Sequence, residues 1–250
     1  MTLHPLAQQF ASVAGEYERG RPGYPPAVVG ALAAELGVPP HARVLDLGAG
    51  TGKLSRALLA AGYDVIAVEP LDSMRELLAE RIGADHVVEG TAERIPAGDG
   101  SVAAVTVADA FHWFDHSVAL AEIRRVLRPG GGLAVLNTAP DWGGMSWAHE
   151  LGTLVTELRP EHPNFDGVPW HEAVRADGGF GEPREITITV PQPASAERIA
   201  AHMASMSWIA ALPDQRRREV SARIDELLAS GEIPSELPMH YSIGLASPTS

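Results

Sequence analysis

Apolar runs of strand length alternate with helix-period segments through the first 140 residues, the pattern of a parallel sheet covered by helices. The runs "RVLDL" (43–47), "DVIAVE" (64–69), "HVVEG" (86–90), "VAAVTVA" (102–108) and "GLAVLN" (132–137) predict strands. Helices are predicted to begin near Gly52, Asp72 and Asp115, with the two aspartates as N-caps. The third helix is predicted to end at "RRVLRPGGG", where cationic side chains meet the negative helix end and Pro and Gly stop it. After Asn137 the rhythm breaks into a stretch rich in Trp, Gly and Pro with only short helix-like patches, which predicts an insertion over 138–180. Strand texture returns at "REITITVP" (184–191) and "MHYSIGLA" (239–246), with helices expected over 195–205 and 213–229. The class is therefore α/β. Without an internal repeat or a low-complexity linker, 1–250 reads as one domain: a helical cover (1–35), the sheet core (36–137), the insertion (138–180) and C-terminal strands and helices (181–250).

Composition narrows the function classes. The chain has 250 residues, 45% of them hydrophobic, enough for one sizeable core. Cysteine is absent, which excludes disulfides, zinc thiolates and thiol nucleophiles and suits a reducing compartment. The first twenty residues lack a basic stretch followed by a continuous apolar one, and no window resembles a membrane span, so the expectation is a soluble, cytoplasmic protein without a membrane partner. A net charge of −13 argues against a nucleic-acid partner, because counterion release needs a dense Lys/Arg surface. Lys53 is the single lysine among 19 basic residues, and Ala, Gly and Pro abound, a coding bias expected of a GC-rich bacterium.

"VLDLGAGTGKLS" places Gly48, Gly50 and Gly52 between a strand and a helix, at the ligand-binding edge of an open parallel sheet. A dinucleotide fingerprint needs its third glycine where Lys53 stands. A Walker loop needs glycine at Leu47 and a hydroxyl at Leu54. What remains is a G-x-G-x-G loop (Gly48, Ala49, Gly50, Gly52) preceded by Asp46, whose missing side chains admit a neutral nucleoside with a zwitterionic tail, as in S-adenosylmethionine. Glycines there can also simply make a tight turn. Glu69, at the end of the second strand, can accept hydrogen bonds from both ribose hydroxyls, as it would in an NAD enzyme. Pro70, Leu71 and Met74 follow; Leu71 and Met74 offer an apolar face for adenine or pack the helix start. Ala92 and Glu93, in "GTAERIP", can read the adenine edge through a backbone N–H and a carboxylate, or Glu93 is an ordinary solvated charge.

Together, "FASVAGEYERGRPGYP", "VLDLGAGTGKLS", "VIAVEPLDSM", "GTAERIP", "VADAFHWFD" and "VLRPGGGL" occur in an order and at spacings that resemble class I S-adenosylmethionine-dependent methyltransferases. The resemblance is to the small-molecule branch, with ubiquinone/menaquinone-type and trans-aconitate-type enzymes, and it covers residues 10–137. It implies a Rossmann-like fold, a seven-stranded, mostly parallel sheet with an antiparallel last strand, and a helical acceptor lid. It also implies S-adenosylmethionine as cofactor, with S-adenosylhomocysteine as product. Loop roles then fall to Gly48, Gly50 and Gly52, ribose binding to Glu69, the adenine edge to Ala92 and Glu93, and methionine-end contacts to Asp109, Ala110 and Phe111. Tyr17, with Arg19 or Arg21, would close over the cofactor. Relatives often carry Asp where Thr91 stands, which would shift the adenine contact to Glu93.

Methyl transfer is an in-line displacement that alignment and desolvation can drive, so a base is needed only for a protonated nucleophile. His112, just past the fourth strand, is at the address for such a base, with packing or cofactor positioning as the alternatives. A metal site from His112, Asp115 and His116 is disfavoured, because a helix starting at Asp115 leaves His112 off the shared face, and none is assigned. Trp113, Trp142 and Trp147 offer flat apolar surface for an aromatic acceptor, although each ring can equally be core. His149, His162, His171 and His202 are read as surface or packing, and "RRRE" (216–219) as an exposed charge run. The expectation is transfer of a methyl group to an O, C or N nucleophile of a small apolar or aromatic metabolite, in secondary metabolism, by a monomer or homodimer. The rivals are a rearrangement or cyclisation on the same fold and a non-catalytic cofactor binder.

Overall fold

A computed structural model describes residues 3–143 and 145–249. Among these residues seven strands form one sheet: β1 (Arg43–Leu47), β2 (Asp64–Val68), β3 (Val87–Val88), β4 (Val102–Ala108), β5 (Leu127–Pro140), β6 (Arg184–Pro193) and β7 (Glu236–Ala246). Their order is β3-β2-β1-β4-β5-β7-β6. β1 pairs in parallel with β2 and β4, β2 with β3, and β4 with β5. The last strands run antiparallel, so the Rossmann-like arrangement implied by the resemblance is the one observed.

Burial explains the strand sequences. β1 and β4 are central and covered on both faces, so they are apolar almost throughout, and Leu45, Val105 and Val107 have no exposed surface. β6 is an edge strand, and its exposure alternates residue by residue.

Three local expectations are corrected. β3 keeps only two residues of the expected five. β5 starts at Leu127, directly after the helix His116–Val126, and not at Gly132. Its register against β4 jumps: Val102 pairs with Leu127 but Ala104 with Gly132, so Arg128–Gly131 bulges out of the ladder. Asp72 is the first residue of the helix Asp72–Ile82 and makes no N-cap; its carboxylate pairs with Arg75 at 2.5 Å. Asp115 does cap the helix it precedes, accepting from the Val118 amide at 3.3 Å.

The chain divides into two compact units. One holds residues 23–138, 163–188 and 241–250, with a core that includes Leu45, Val105, Leu120, Ile123 and Leu133. The other holds residues 1–22, 139–162 and 189–240, with a core of Trp147, Leu151, Met203, Ile209 and Ile224. The expected insertion is thus shared out: the helix Ser146–Glu157, twelve residues where only short patches were expected, belongs to the second unit and the helix Trp170–Asp177 to the first. No helix among the described residues is long and apolar enough to cross a membrane.

In the second unit the helix Ala14–Gly20 lies against the helix Ala196–Ala204 so closely that a Cβ on Gly20 would stand 2.1 Å from the His202 amide nitrogen. The clash is with backbone, which cannot swing aside. Gly20→Ala gains up to about 1 kcal/mol of helix propensity but loses roughly 1–3 kcal/mol to overpacking. The expected outcome is a lower urea midpoint at unchanged m-value; a midpoint at or above that of the native chain would show that the two helices separate freely.

Candidate active site

The strand order reverses at β1, whose neighbours β2 and β4 continue the sheet in opposite directions, and the crevice of such a sheet opens beyond the strands' carboxyl ends. Leu47 pairs with Val68, and Asp46 with Thr106, so Gly48, Glu69 and Asp109 leave the sheet at the same edge.

The glycine loop follows β1. Gly48, Gly50 and Gly52 all have left-handed φ values, 69°, 57° and 83°. The amides of Gly48 and Ala49 both donate to the Val68 carbonyl, at 2.9 and 3.0 Å. A Cβ on Gly48 would come within 3.0 Å of the Ala110 Cβ, so the loop passes the turn after β4 without room for a side chain. At Gly52 a Cβ would lie 2.5 Å from Cδ1 of buried Leu78, so this glycine lets the helices Lys53–Ala60 and Asp72–Ile82 pack closely.

Two buried carboxylates flank the loop. Asp46 is 1% exposed. One of its oxygens accepts from the Ser55 hydroxyl at 2.5 Å and the other from the Thr106 hydroxyl at 3.1 Å. Burial raises its pKa to about 6. Asp46 therefore ties β1 to β4 and to the helix after the loop. Glu69 is 5% exposed and accepts from the Gly50 amide at 2.8 Å and the Leu71 amide at 2.9 Å, one through each oxygen. Burial pushes its pKa up to about 7, against the pull of those two amides. Each oxygen keeps a second lone pair for a hydroxyl donor. Arg75 donates to the carbonyls of Glu69 and Pro70, each at 3.1 Å, fixing the turn into Leu71. Met74 is buried in the helix and Leu71 is half-buried at its start.

Asp109 ends β4 with a φ of 51°, left-handed for a residue with a side chain. Its oxygens accept from the Thr138 amide at 2.9 Å, the Thr138 hydroxyl at 2.7 Å and the Tyr24 hydroxyl at 3.3 Å. Tyr24 in turn packs edge-on against Tyr241, whose buried hydroxyl donates to the Gly23 carbonyl at 2.7 Å. Ala110 leads into a single 3-10 turn, Phe111–Trp113, which carries His112. The His112 ring lies 4.6 Å from that of Trp113. Phe111 is buried and stacks on His116 at 4.8 Å, and burial lowers the His116 pKa. His116 is thus a neutral packing ring.

Ala92 is buried after β3, and the Glu93 carboxylate accepts from the Asp115 amide at 3.0 Å, so its first partner is the start of a helix. The remaining candidates fall in the other unit. Tyr17 lies under the Arg21 guanidinium at 5.3 Å, and Arg21 Nε donates to the Ser205 hydroxyl at 3.1 Å. Arg19 is exposed and pairs with Glu16. Trp142 meets Trp147 edge-on at 5.8 Å, and Trp147 is buried with its ring against Gly231, which makes it core. His162 is also buried there, hydrogen-bonded to Ser207.

Sequence reasoning missed Tyr24 and Thr138, although Tyr24 stands inside the quoted stretch "RPGYP". A residue opposite a strand end on β5 and a tyrosine 85 positions away carry no local signal. The site fits the group implied by the sequence. Its glycine cradle has no room at Gly48 for a Cβ, its Glu69 carboxylate has lone pairs to spare, and a second carboxylate, Asp109, stands at the end of β4.

Residues 45–135 match the methyltransferase domain family. An uncharacterized methyltransferase of Mycobacterium tuberculosis is 37% identical over 227 residues, covering 90% of this chain and 87% of the relative. A demethylmenaquinone methyltransferase of Beutenbergia cavernae is 38% identical over 127 residues, 49% of this chain and 53% of that protein. Among solved structures, a phosphoethanolamine N-methyltransferase of Haemonchus contortus, in complex with S-adenosylhomocysteine, aligns with a TM-score of 0.54 at 16% identity, covering 96% of this chain and 58% of that one, and shows the shared fold. With the relative from Mycobacterium alike over nearly its whole length, the chain belongs to the class I S-adenosylmethionine-dependent methyltransferases of the small-molecule branch.

Proposed function

We propose that this enzyme methylates an O, C or N nucleophile of a small apolar or aromatic metabolite, mainly by proximity and orientation. The observation that carries the reading is the meeting of the glycine loop, Glu69 and the Asp109–Trp113 turn at one sheet edge, with the aromatic rings of Phe111 and Trp113 on that turn. When bound, the cofactor supplies a sulfonium-activated methyl carbon. Gly48, Ala49, Gly50 and Gly52 hold their backbone close to it, Glu69 takes the ribose hydroxyls, and Pro70 and Leu71 border the base. Ala92 and Glu93 read the adenine edge. Asp109, Ala110 and Phe111 hold the methionine end, with Tyr24 and Thr138 orienting the Asp109 carboxylate. Trp113 offers aromatic surface to the acceptor. The negative net charge supports action on a metabolite rather than on nucleic acid, the lack of cysteine a cytoplasmic location, and the single lysine among abundant Arg, Ala, Gly and Pro a GC-rich bacterial source.

Incubation with methyl-labelled cofactor and a library of phenols, amines and acidic-carbon compounds should move label to a small aromatic or apolar acceptor. Tight cofactor binding without transfer to any member would count against methylation and for a rearrangement or binding role. His112 is expected to orient rather than to remove a proton: His112→Gln should keep kcat within about tenfold, whereas a fall of about 10²–10⁴ would assign it as general base.

The raised pKa of Glu69, about 7, sets a sign. Ribose hydroxyls donate to the ionised form, so below that pH each binding event must first remove a proton. Affinity for S-adenosylhomocysteine, measured by calorimetry, should be full above pH 7 and fall towards tenfold per unit as pH drops below it. Glu69→Gln should bind more weakly and with little pH dependence; a variant that binds as tightly as the native chain above pH 7 would remove Glu69 from the ribose site.

A further inference from the structure

The segment Thr91–Gly100, which carries Ala92 and Glu93, has little regular structure of its own. It holds one short bridge between Thr91 and Arg94 and a turn in which the Ala97 amide donates to the Ile95 carbonyl at 2.8 Å. What fixes it is the helix His116–Val126. The Ile95 amide donates to Glu122 Oε2 at 2.9 Å, and the Gly100 amide donates to the Arg125 carbonyl at 2.9 Å.

Arg125 does most of this tethering. Its Nε donates to Glu122 Oε1 at 2.7 Å. One terminal nitrogen donates to the Ala97 carbonyl and to Asp99 Oδ1, each at 2.8 Å. The other donates to the Ile95 carbonyl at 2.9 Å and Glu122 Oε2 at 2.8 Å. A guanidinium has five N–H groups in one rigid plane, and here every one is used. Two bind Glu122 as a fork and three bind the loop, so the carboxylate sets the plane and the plane sets the loop. Lysine, a point charge with three donors on a flexible stem, cannot reproduce this pattern. Ala92 and Ile95 complete the attachment by burying their side chains in the core shared with Leu120 and Ile123.

We propose that Arg125, held by Glu122, is a positioning residue for the base-recognition segment, setting how well the enzyme tells adenine from another purine without touching the cofactor. The proposal rests on the assignment of Ala92 and Glu93 to the adenine edge. A misplaced loop would lose hydrogen bonds to the base edge while the ribose and methionine contacts, on β2 and β4, stay in place.

The test compares S-adenosylhomocysteine with S-inosylhomocysteine, whose hypoxanthine exchanges donor and acceptor at the two edge positions, by calorimetry on the full chain. Native protein should favour the adenosine ligand by at least tenfold. Arg125→Lys should weaken that ligand about tenfold, the loss of one or two hydrogen bonds, and leave the inosine ligand within twofold, so the ratio contracts. Glu122→Gln, a milder change, should contract the ratio in the same direction, and in both variants KM for the cofactor should rise with kcat at saturation within twofold. Equal weakening of both ligands, or an unchanged ratio in both variants, would overturn the proposal while leaving the loop's role intact. Native protein that binds both ligands equally would overturn the assignment of the adenine edge and the proposal with it.

Discussion

The Glu69 carboxylate joins the two turns that follow β1 and β2 at the candidate site. One oxygen holds the Gly50 amide of the loop after β1, and the other holds the Leu71 amide at the start of the helix after β2. The Val68 carbonyl, one residue earlier, holds the amides of Gly48 and Ala49. The loop is therefore pinned to the end of β2 at three of its residues, and its left-handed glycines are imposed by these anchors. Burial opposes the negative charge and the amides favour it, which leaves the group poised near neutrality. A carboxylate at that balance is one whose ionisation a pair of hydroxyl donors can tip.

The loop is closed at its base by a second carboxylate with a different task. Asp46 and Ser55, nine residues apart, join the end of β1 to the helix after the loop, and Thr106 adds β4. Both acids are buried, and the charge of Asp46 further opposes ionisation of Glu69. Their placement distinguishes them. Asp46 lies within a strand covered on both faces and has its oxygens turned to hydroxyls of the core, whereas Glu69 lies one residue beyond its strand, with backbone amides on its near side only.

That distinction marks the limit of what the sequence discloses. The central strands and the position of the glycine loop follow from apolar runs and glycine spacing, because a sheet covered on both faces leaves little freedom of composition. The partners of Asp46 and Asp109 do not, since Thr106, Thr138 and Tyr24 lie 60, 29 and 85 residues away; the two threonines meet their acids through strand pairing and Tyr24 from the loop before the helix Pro26–Leu36. Glu93 was legible as an acid in the segment after β3, but its bond to the Asp115 amide depends on where the next helix starts. The helix Ser146–Glu157 escaped notice because Trp147 and Gly152 lie within it and Trp142 and Gly143 precede it, which obscures its period.

Asp109 shows how the strand edge and the aromatic turn are coupled. A left-handed conformation costs a residue with a side chain roughly 1–2 kcal/mol, less for aspartate, which tolerates it. Three hydrogen bonds to its carboxylate, two from Thr138 and one from Tyr24, offset that strain. The conformation turns the chain sharply from β4 into Ala110, which brings the Ala110 Cβ against Gly48 and starts the turn that carries His112 and Trp113. The turn then ends at the Asp115 cap of the helix that also holds the Thr91–Gly100 segment. The turn after β4 and the Thr91–Gly100 segment thus share one helix, and the strained aspartate sets the angle at which the chain enters it.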